Sequence, residues 1–283
     1  MLIMEMMIIL MILLSVMFVT LLERKFLGVL NYRKGPNIFF MNSFLQSLMD
    51  FIKLMTKKML KMNFIMKYYW VLMIFFGILM LIILVINYPF YNSHMYMYTN
   101  FLMVFSLYSL MAYFFLLLSY SSNSIFSMMS LYRVLIQILS YEVGLIFLFL
   151  IPLIMLNTYN FYFYMMKSNF SLMISIMLMY CLILVSLSEM NRTPFEFLES
   201  ETELVSGFNV EYLASLFSFI FLIEYGFFMM MMILLNFFFL MNMFMLMMMY
   251  MIFIWTRSFL PRYRYDKMLY LFWKDLIMTI FTM

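Results

Sequence analysis

Six glutamates lie close together between residues 189 and 211, a stretch whose single cation is Arg192. Carboxylates this close cannot all ionise independently, so their protonation is coupled and the group can exchange protons as a unit. Phe195 and Phe197 alternate with the acids, which favours a loop folded into the protein over a solvated acidic surface. Paired carboxylates can also bind metal ions, but no His or Cys accompanies these. The six acids are Glu189, Glu196, Glu199, Glu201, Glu203 and Glu211.

Two further glutamates, Glu142 and Glu224, fall inside long apolar runs of the sequence. An ionised side chain at the centre of a membrane helix costs about 2.5–3.5 kcal/mol even on the lenient insertion scale. Such a residue is retained where it faces a wet or protein-lined interior, and there it can pick up and release protons. A protonated Glu can also serve only as a hydrogen-bond donor between helices, but the presence of two favours proton exchange.

The overall composition places these acids in a membrane protein. Of the 283 residues, 68% are hydrophobic and only 11% are charged, and the mean hydropathy is +1.04. A soluble domain has about 25% charged residues, so this chain has too little polar surface to be soluble. The contents of 6 Gly, 5 Pro and 1 Cys also exclude collagen, disorder and a disulfide framework.

Eight apolar runs approach the roughly 20 residues that a membrane-spanning helix needs. The last run is short and contains Lys274 and Asp275. We therefore predict an all-α polytopic membrane protein with eight transmembrane helices in a single integral membrane domain, residues 1–283. Its main loops are the first at 23–67, an acidic fifth at 189–211 and a basic seventh at 256–267. The runs cover about 3–22, 69–87, 101–119, 134–156, 171–188, 212–235, 237–255 and 268–283.

The placement of the cations supports this topology. Fifteen of the 17 Lys and Arg residues lie in odd-numbered loops, and nine of those lie in the first loop. Such asymmetry follows the positive-inside rule, which puts the odd loops in the matrix or cytoplasm and both termini on the opposite side. The seventh loop alternates cations with aromatic residues. Membrane anchoring explains most of this pattern, and docking of a soluble partner is the alternative.

The long first loop contains an amphipathic helix at about residues 44–61. Gln46, Asp50, Lys53, Lys57 and Lys61 recur at helical spacing, and apolar residues fill the opposite face. The segment is too polar to span, so we expect it at the membrane surface. It is either a plain interfacial anchor or the wall of a cavity or docking face.

Six blocks, in order along the chain, resemble subunit 1 of the NADH:ubiquinone oxidoreductase (respiratory complex I) family. They read LERKFLG at 22–28, RKGPN at 33–37, SYEV at 140–143, EMNRTPF at 189–195, ELVSGFN at 203–209 and PRYRYD at 261–266. The resemblance implies a membrane subunit located where the hydrophilic and membrane arms meet. The residues themselves predict that electrons come from partner subunits, because a single Cys cannot bind an iron–sulfur cluster and no Gly-rich dinucleotide fingerprint is present.

The same resemblance implies two sets of site residues. One set would line the ubiquinone tunnel, and the other would relay protons from that tunnel toward the membrane arm. The expected tunnel residues are Glu23, Arg24, Asp50, Lys53, Arg257 and Arg262. The expected relay residues are Glu142, Glu189, Glu196, Glu199, Glu201, Glu203 and Glu224.

The resemblance also sets expectations for ligands, partners and location. Ubiquinone would be the substrate, and the chain itself would bind no FMN, iron–sulfur cluster or metal. Its partners would be the other membrane-arm and quinone-module subunits and the inner-membrane lipids, with no nucleic acid. The expected location is the mitochondrial inner membrane, with the odd loops in the matrix. The 41 Met residues fit a mitochondrial genome in which a second codon is read as Met.

Some positions depart from the family pattern. Residues 38–44 replace a stretch that usually contains Gly and Pro, and Ser47 replaces a Pro, so the shape of the tunnel mouth is left open. Ser200 stands where Gly is usual between two acids, which bears on the conformation of the loop. A proton-coupled secondary transporter is the alternative function, but it predicts inverted repeats with broken spans, and the sequence shows no internal repeat. A passive scaffold would not need Glu142 and Glu224.

Overall fold

All of the regular structure in the described residues is helical. The computed structural model describes residues 2–33, 42–57, 64–88, 99–122, 124–157, 159–160, 164, 172–197, 212, 214–239 and 243–282. In chain order the helices are α1 (Leu2–Leu30), α2 (Asn42–Thr56), α3 (Phe64–Asn87), α4 (Asn100–Ser122), α5 (Ile125–Leu156), α6 (Leu172–Glu189), α7 (Ser215–Phe238), α8 (Met243–Phe259), α9 (Tyr265–Tyr270) and α10 (Ile277–Thr282). A π-helical turn, Leu271–Leu276, joins α9 to α10.

Five of these helices are long and apolar enough to cross a membrane, which confirms the predicted class of helical polytopic membrane protein. They are α1, α3, α4, α5 and α7. The described apolar parts of α6 and α8, Met177–Glu189 and Leu246–Phe259, are shorter. The last helical segment is interrupted by the π-helical turn, where Lys274 and Asp275 are exposed. The count of eight spans therefore stays a prediction.

Two helices extend well beyond the predicted spans. Helix α1 continues to Leu30, so Glu23 and Arg24 lie on a regular helix that holds their side chains at fixed positions. Helix α5 starts at Ile125, because the Ser124 hydroxyl caps it by accepting a hydrogen bond from the Ser127 N–H. Such a cap satisfies a backbone donor that a helix terminus otherwise leaves unpaired.

The helices pack in chain order from α3 to α6, and α7 lies against α1, α2, α3 and α8. Helix α7 is the most buried of the five long apolar helices. Gly77 allows α3 to approach both of its neighbours, since a Cβ there would lie 2.6 Å from Phe114 and 2.7 Å from Ile223. This arrangement surrounds Glu224, near the middle of α7, with other helices.

Helix α2 has two different faces. Leu45, Met49 and Ile52 are exposed on its outer side. Its inner side packs against α1 and α7. The amphipathic helix predicted at about residues 44–61 is present as Asn42–Thr56, and residues 58–61 lie outside the described residues. Its position at the membrane surface stays a prediction.

Candidate functional site

A cavity of about 490 Å³ lies between α1, α2 and α7. Its volume falls within the usual range of small-molecule sites, about 300–1,000 Å³. Three of the residues expected to line the tunnel, Arg24, Asp50 and Lys53, line this cavity. The other polar lining residues are Thr20, Ser47, Lys57, Ser218 and Tyr225, and the apolar ones are Val16, Met17, Phe51, Leu54, Phe217, Phe221 and Leu222.

The helical repeat of α2 explains the polar wall of this cavity. Asp50, Lys53 and Lys57 recur every three or four residues and therefore share one face, which is turned toward α1 and α7. Asp50 Oδ2 lies 3.5 Å from Arg24 Nη2, with both side chains about half exposed. An exposed ion pair contributes little stability, so its main effect is to hold two opposite charges at the cavity wall.

A cluster of buried charges lies beside the cavity, centred on Glu23. Oε1 of Glu23 is ion-paired with the Arg257 guanidinium, and Oε2 accepts a 2.7 Å hydrogen bond from the Tyr225 hydroxyl. Arg192 donates to the same hydroxyl over 3.3 Å, and its Cζ lies 4.1 Å from the centre of the Tyr225 ring. The Glu23 side chain is only 13% exposed. Such burial strengthens each of these interactions relative to water.

Tyr225 contacts both parts of the site. It lines the cavity, and it also lines a small neighbouring space together with Glu23, Arg192 and Arg257. Tyr225 directly follows Glu224 in the sequence, and nothing in the sequence marks it as a site residue. Its role as the contact between α7 and Glu23 depends on the packing of α1 against α7, which no local pattern in the sequence encodes.

Two expected tunnel residues, Arg257 and Arg262, pair with carboxylates and are not among the cavity-lining residues. Arg257 binds Glu23, which also does not line the cavity, and Nη2 of Arg262 lies 3.5 Å from Oε2 of Glu196. The described start of the fifth loop is thereby attached to the seventh loop.

Ring and backbone contacts reinforce this attachment between the loops. The Tyr263 N–H donates to the Pro194 carbonyl over 3.0 Å. The Tyr263 ring stacks on Phe195 with 5.4 Å between the ring centres. Packing of this kind supports the prediction that the acidic loop folds into the protein, at least for its residues 189–197.

The described relay carboxylates form two electrostatic groups. Glu224 is 5% exposed and interacts electrostatically with Arg192, Glu196 and Glu23. Glu189 is 8% exposed and interacts with Glu142. The remaining predicted relay residues lie outside the described residues; they are Glu199, Glu201 and Glu203.

Within the described ranges, no group of three or more His, Cys, Asp or Glu side chains is placed to hold a metal ion. Cys181 is buried, with Sγ 3.8 Å from the hydroxyl of Thr279. The chemistry available here is therefore that of carboxylates, guanidinium groups and tyrosine hydroxyls beside a partly apolar cavity. Such groups bind a polar ligand atom and move protons.

This fold and site define a class: helical polytopic membrane proteins that have a charged cavity beside buried carboxylates. The profile of the NADH dehydrogenase family matches residues 3–283, and the chain belongs to that family.

Individual relatives carry the name NADH-ubiquinone oxidoreductase chain 1. The protein from Apis mellifera ligustica is 34% identical over an alignment that covers 95% of this chain and 91% of the relative. The protein from Artemia franciscana is 36% identical over 276 residues, covering 95% and 92%. The protein from Locusta migratoria is 37% identical over an alignment that covers 93% of this chain and 87% of the relative. These matches confirm the resemblance found in the six sequence blocks.

Proposed function

We propose that the chain is the membrane subunit 1 of a proton-translocating NADH:ubiquinone oxidoreductase, forming part of the ubiquinone-binding tunnel and coupling quinone reduction to proton movement. The observation that carries the proposal is the position of Tyr225, which contacts both the cavity and the partly buried Glu23–Arg257 pair. The name shared by the relatives, which cover almost the whole chain, supports the same function.

The lining of the cavity suits a ligand with a polar ring and an apolar tail. Arg24 and Lys53 offer charged donors to a quinone carbonyl oxygen, while Phe217 and Phe221 of α7 supply aromatic surface. Ligand sites commonly combine a mostly apolar wall with a few placed polar groups. Ubiquinone has this chemistry, and it appears in the name of the relatives.

Quinone reduction adds two electrons and two protons to the ring. In this proposal the electrons come from partner subunits, and the contribution of this chain is to hold the quinone and respond to the change in charge. The Tyr225 hydroxyl joins the cavity wall to Glu23, and Glu23 shares electrostatic interactions with Arg192 and Glu224. A charge that forms on the quinone therefore acts on the protonation of the carboxylates beyond Tyr225.

The remaining relay residues complete the proposed path. Glu224 interacts electrostatically with both Glu23 and Glu196, and Glu189 interacts with Glu142. We place the chain in the mitochondrial inner membrane with its odd loops in the matrix, among the other membrane-arm and quinone-module subunits and the lipids. Loop seven, attached to loop five through Arg262 and Tyr263, is then a matrix surface for those partners.

The test is photolabelling of inner membranes with a short-chain ubiquinone analogue that carries a photoreactive group on the ring. The label is expected on peptides of α1, α2 and α7 that line the cavity, and excess ubiquinone is expected to remove it. Native electrophoresis of the same membranes should show the chain migrating with NADH dehydrogenase activity. Labelling confined to other helices, or migration of the chain alone, would contradict the proposal.

A further inference from the structure

A glutamine of α5, Gln137, joins two points that lie far along the chain. The residue is completely buried, with an exposed fraction of 0%. Its Nε2 donates to the Ser188 carbonyl over 2.7 Å and to the Phe195 carbonyl over 3.0 Å. The reverse orientation of the amide would put an oxygen against two carbonyl oxygens, so these acceptors determine which amide atom faces them. Both N–H groups of Gln137 therefore hold other segments of the chain.

The two acceptors are the ends of the turn at the end of α6, and we call residues 188–195 the Gln137-bound turn. The Asn191 N–H donates to the Ser188 carbonyl over 3.2 Å, and the Phe197 N–H donates to the Phe195 carbonyl over 3.1 Å. A carbonyl oxygen has two lone pairs, so Gln137 fills the second acceptor position of each carbonyl. Both carbonyls therefore keep one backbone partner when the glutamine is replaced.

Each carbonyl that Gln137 binds belongs to the residue directly before a glutamate. Glu189 follows Ser188, and Glu196 follows Phe195. A hydrogen bond to a carbonyl restrains the peptide unit to which it belongs, and that unit includes the N–H of the next residue. Gln137 therefore holds the backbone at both glutamates.

These two glutamates belong to the two different electrostatic groups of carboxylates. Glu189 interacts electrostatically with Glu142, whereas Glu196 interacts with Glu224. The interaction energy of two charges varies inversely with their distance, and it is larger in the protein interior than in water. A small displacement of either glutamate therefore changes the electrostatic interaction within its group.

We infer that Gln137 is a positioning residue, which binds both ends of the turn and so fixes Glu189 and Glu196 in the arrangement that coupling of quinone reduction to proton movement requires. The inference rests on the proposed function and adds Gln137 to it. Gln137 does not line the cavity, so its effect falls on the turnover rate and not on quinone binding. A purely structural role would instead lower the amount of assembled complex and leave the turnover of each assembled complex unchanged.

The experiment measures kcat and KM for a short-chain ubiquinone in the respiratory complex that carries Gln137→Met, with NADH oxidation by an artificial acceptor as the measure of assembled complex. Methionine has a similar length but no N–H donor, so kcat per complex is expected to fall roughly tenfold, as for the loss of two hydrogen bonds. The KM is expected to stay at the wild-type value. Ser130→Ala is the matched control and should keep the wild-type kcat, because that buried hydroxyl donates to the Ser127 carbonyl of its own helix. A wild-type kcat for Gln137→Met, or a change confined to KM, would overturn the inference.

A second variant and a structural measurement keep the outcomes distinct. Gln137→Asn keeps the amide but is one methylene shorter and cannot reach both carbonyls, so the same fall in kcat is expected, and a wild-type kcat would overturn the inference even if Gln137→Met does not assemble. If these variants turn over normally while Glu142→Gln impairs pumping, the inference is wrong and the proposed function stands. If Glu142→Gln also pumps normally, the proposed coupling function fails. A density map of the wild-type complex should show Gln137 bonded to both carbonyls, and a map in which it contacts neither would overturn the inference.

Discussion

The Tyr225 hydroxyl donates a 2.7 Å hydrogen bond to Oε2 of Glu23, joining two residues that are 202 positions apart in the chain. Tyr225 also lines the 490 Å³ cavity, whereas Glu23 faces Arg257 on the other side. One phenol ring therefore separates a ligand-sized space from a partly buried ion pair. In the proposed function, a change of charge on a ligand in the cavity acts on Glu23 through this contact.

The Glu23–Arg257 pair is expected to behave as a coupled unit. Glu23→Gln leaves the partly buried Arg257 guanidinium without its counter-charge, and breaking one side of a buried pair costs about 3–5 kcal/mol. Because the Arg257 side chain is 29% exposed, we expect a loss of stability near the lower end of this range. Thermal inactivation of quinone reductase activity in the purified complex measures the effect.

A double-substitution cycle separates this coupling from general damage. Glu23→Gln combined with Arg257→Gln should be less destabilised than the sum of the two single variants, because contacting residues are not additive. Strict additivity would show that the two side chains do not interact in the complex.

Lys53 is expected to contribute to the affinity for quinone. Lys53→Gln removes a charged donor from the cavity wall, so the KM for a short-chain ubiquinone should rise about tenfold, as for the loss of one charge-assisted hydrogen bond. NADH oxidation by an artificial acceptor should not change. Lys274→Gln, at an exposed lysine of the π-helical turn that does not line the cavity, is the matched control and should keep the wild-type KM. An unchanged KM in both variants would remove Lys53 from the site.

Glu201 lies in the acidic loop outside the described residues, and its role is a prediction from the sequence. Glu201→Gln should reduce quinone reduction linked to pumping by at least about tenfold. A positioned proton-transfer group typically contributes about 10²–10⁴-fold to a rate, so tenfold is the minimum expected. NADH oxidation by an artificial acceptor should stay intact in the same membranes. Wild-type quinone reduction and pumping in an assembled mutant complex would exclude Glu201 from the relay.

The periodic features of this site could be read from the sequence. The spacing of Asp50 and Lys53 predicted that they share one face of α2, and both line the cavity in the structure. Because burying a charge in lipid is costly, the sequence predicted that Glu224 faces the protein interior. In the structure, Glu224 is only 5% exposed. Both inferences depend on local physical rules, helical repeat and the desolvation of charge, that need no knowledge of the packing.

Pairings between distant segments could not be read in the same way. The resemblance to the family suggested that Arg257 and Arg262 add positive charge at the tunnel, but each is paired with a carboxylate of another segment. Gln137 was not singled out, because a lone Gln in a helix gives no signal of the two carbonyls it binds. Such contacts depend on which helices become neighbours and are set by tertiary structure.

The central claim, that Tyr225 couples the cavity to the carboxylates, is tested most directly by counting protons pumped per quinone reduced in proteoliposomes containing the Tyr225→Phe complex. Phenylalanine keeps the ring beneath Arg192 and removes only the hydroxyl that binds Glu23. Tyr164→Phe is the matched control, because that buried hydroxyl donates to the Phe238 carbonyl over 3.1 Å, away from the cavity. The account predicts a lower ratio of protons to quinone for Tyr225→Phe and a wild-type ratio for Tyr164→Phe. A wild-type ratio for Tyr225→Phe would contradict it.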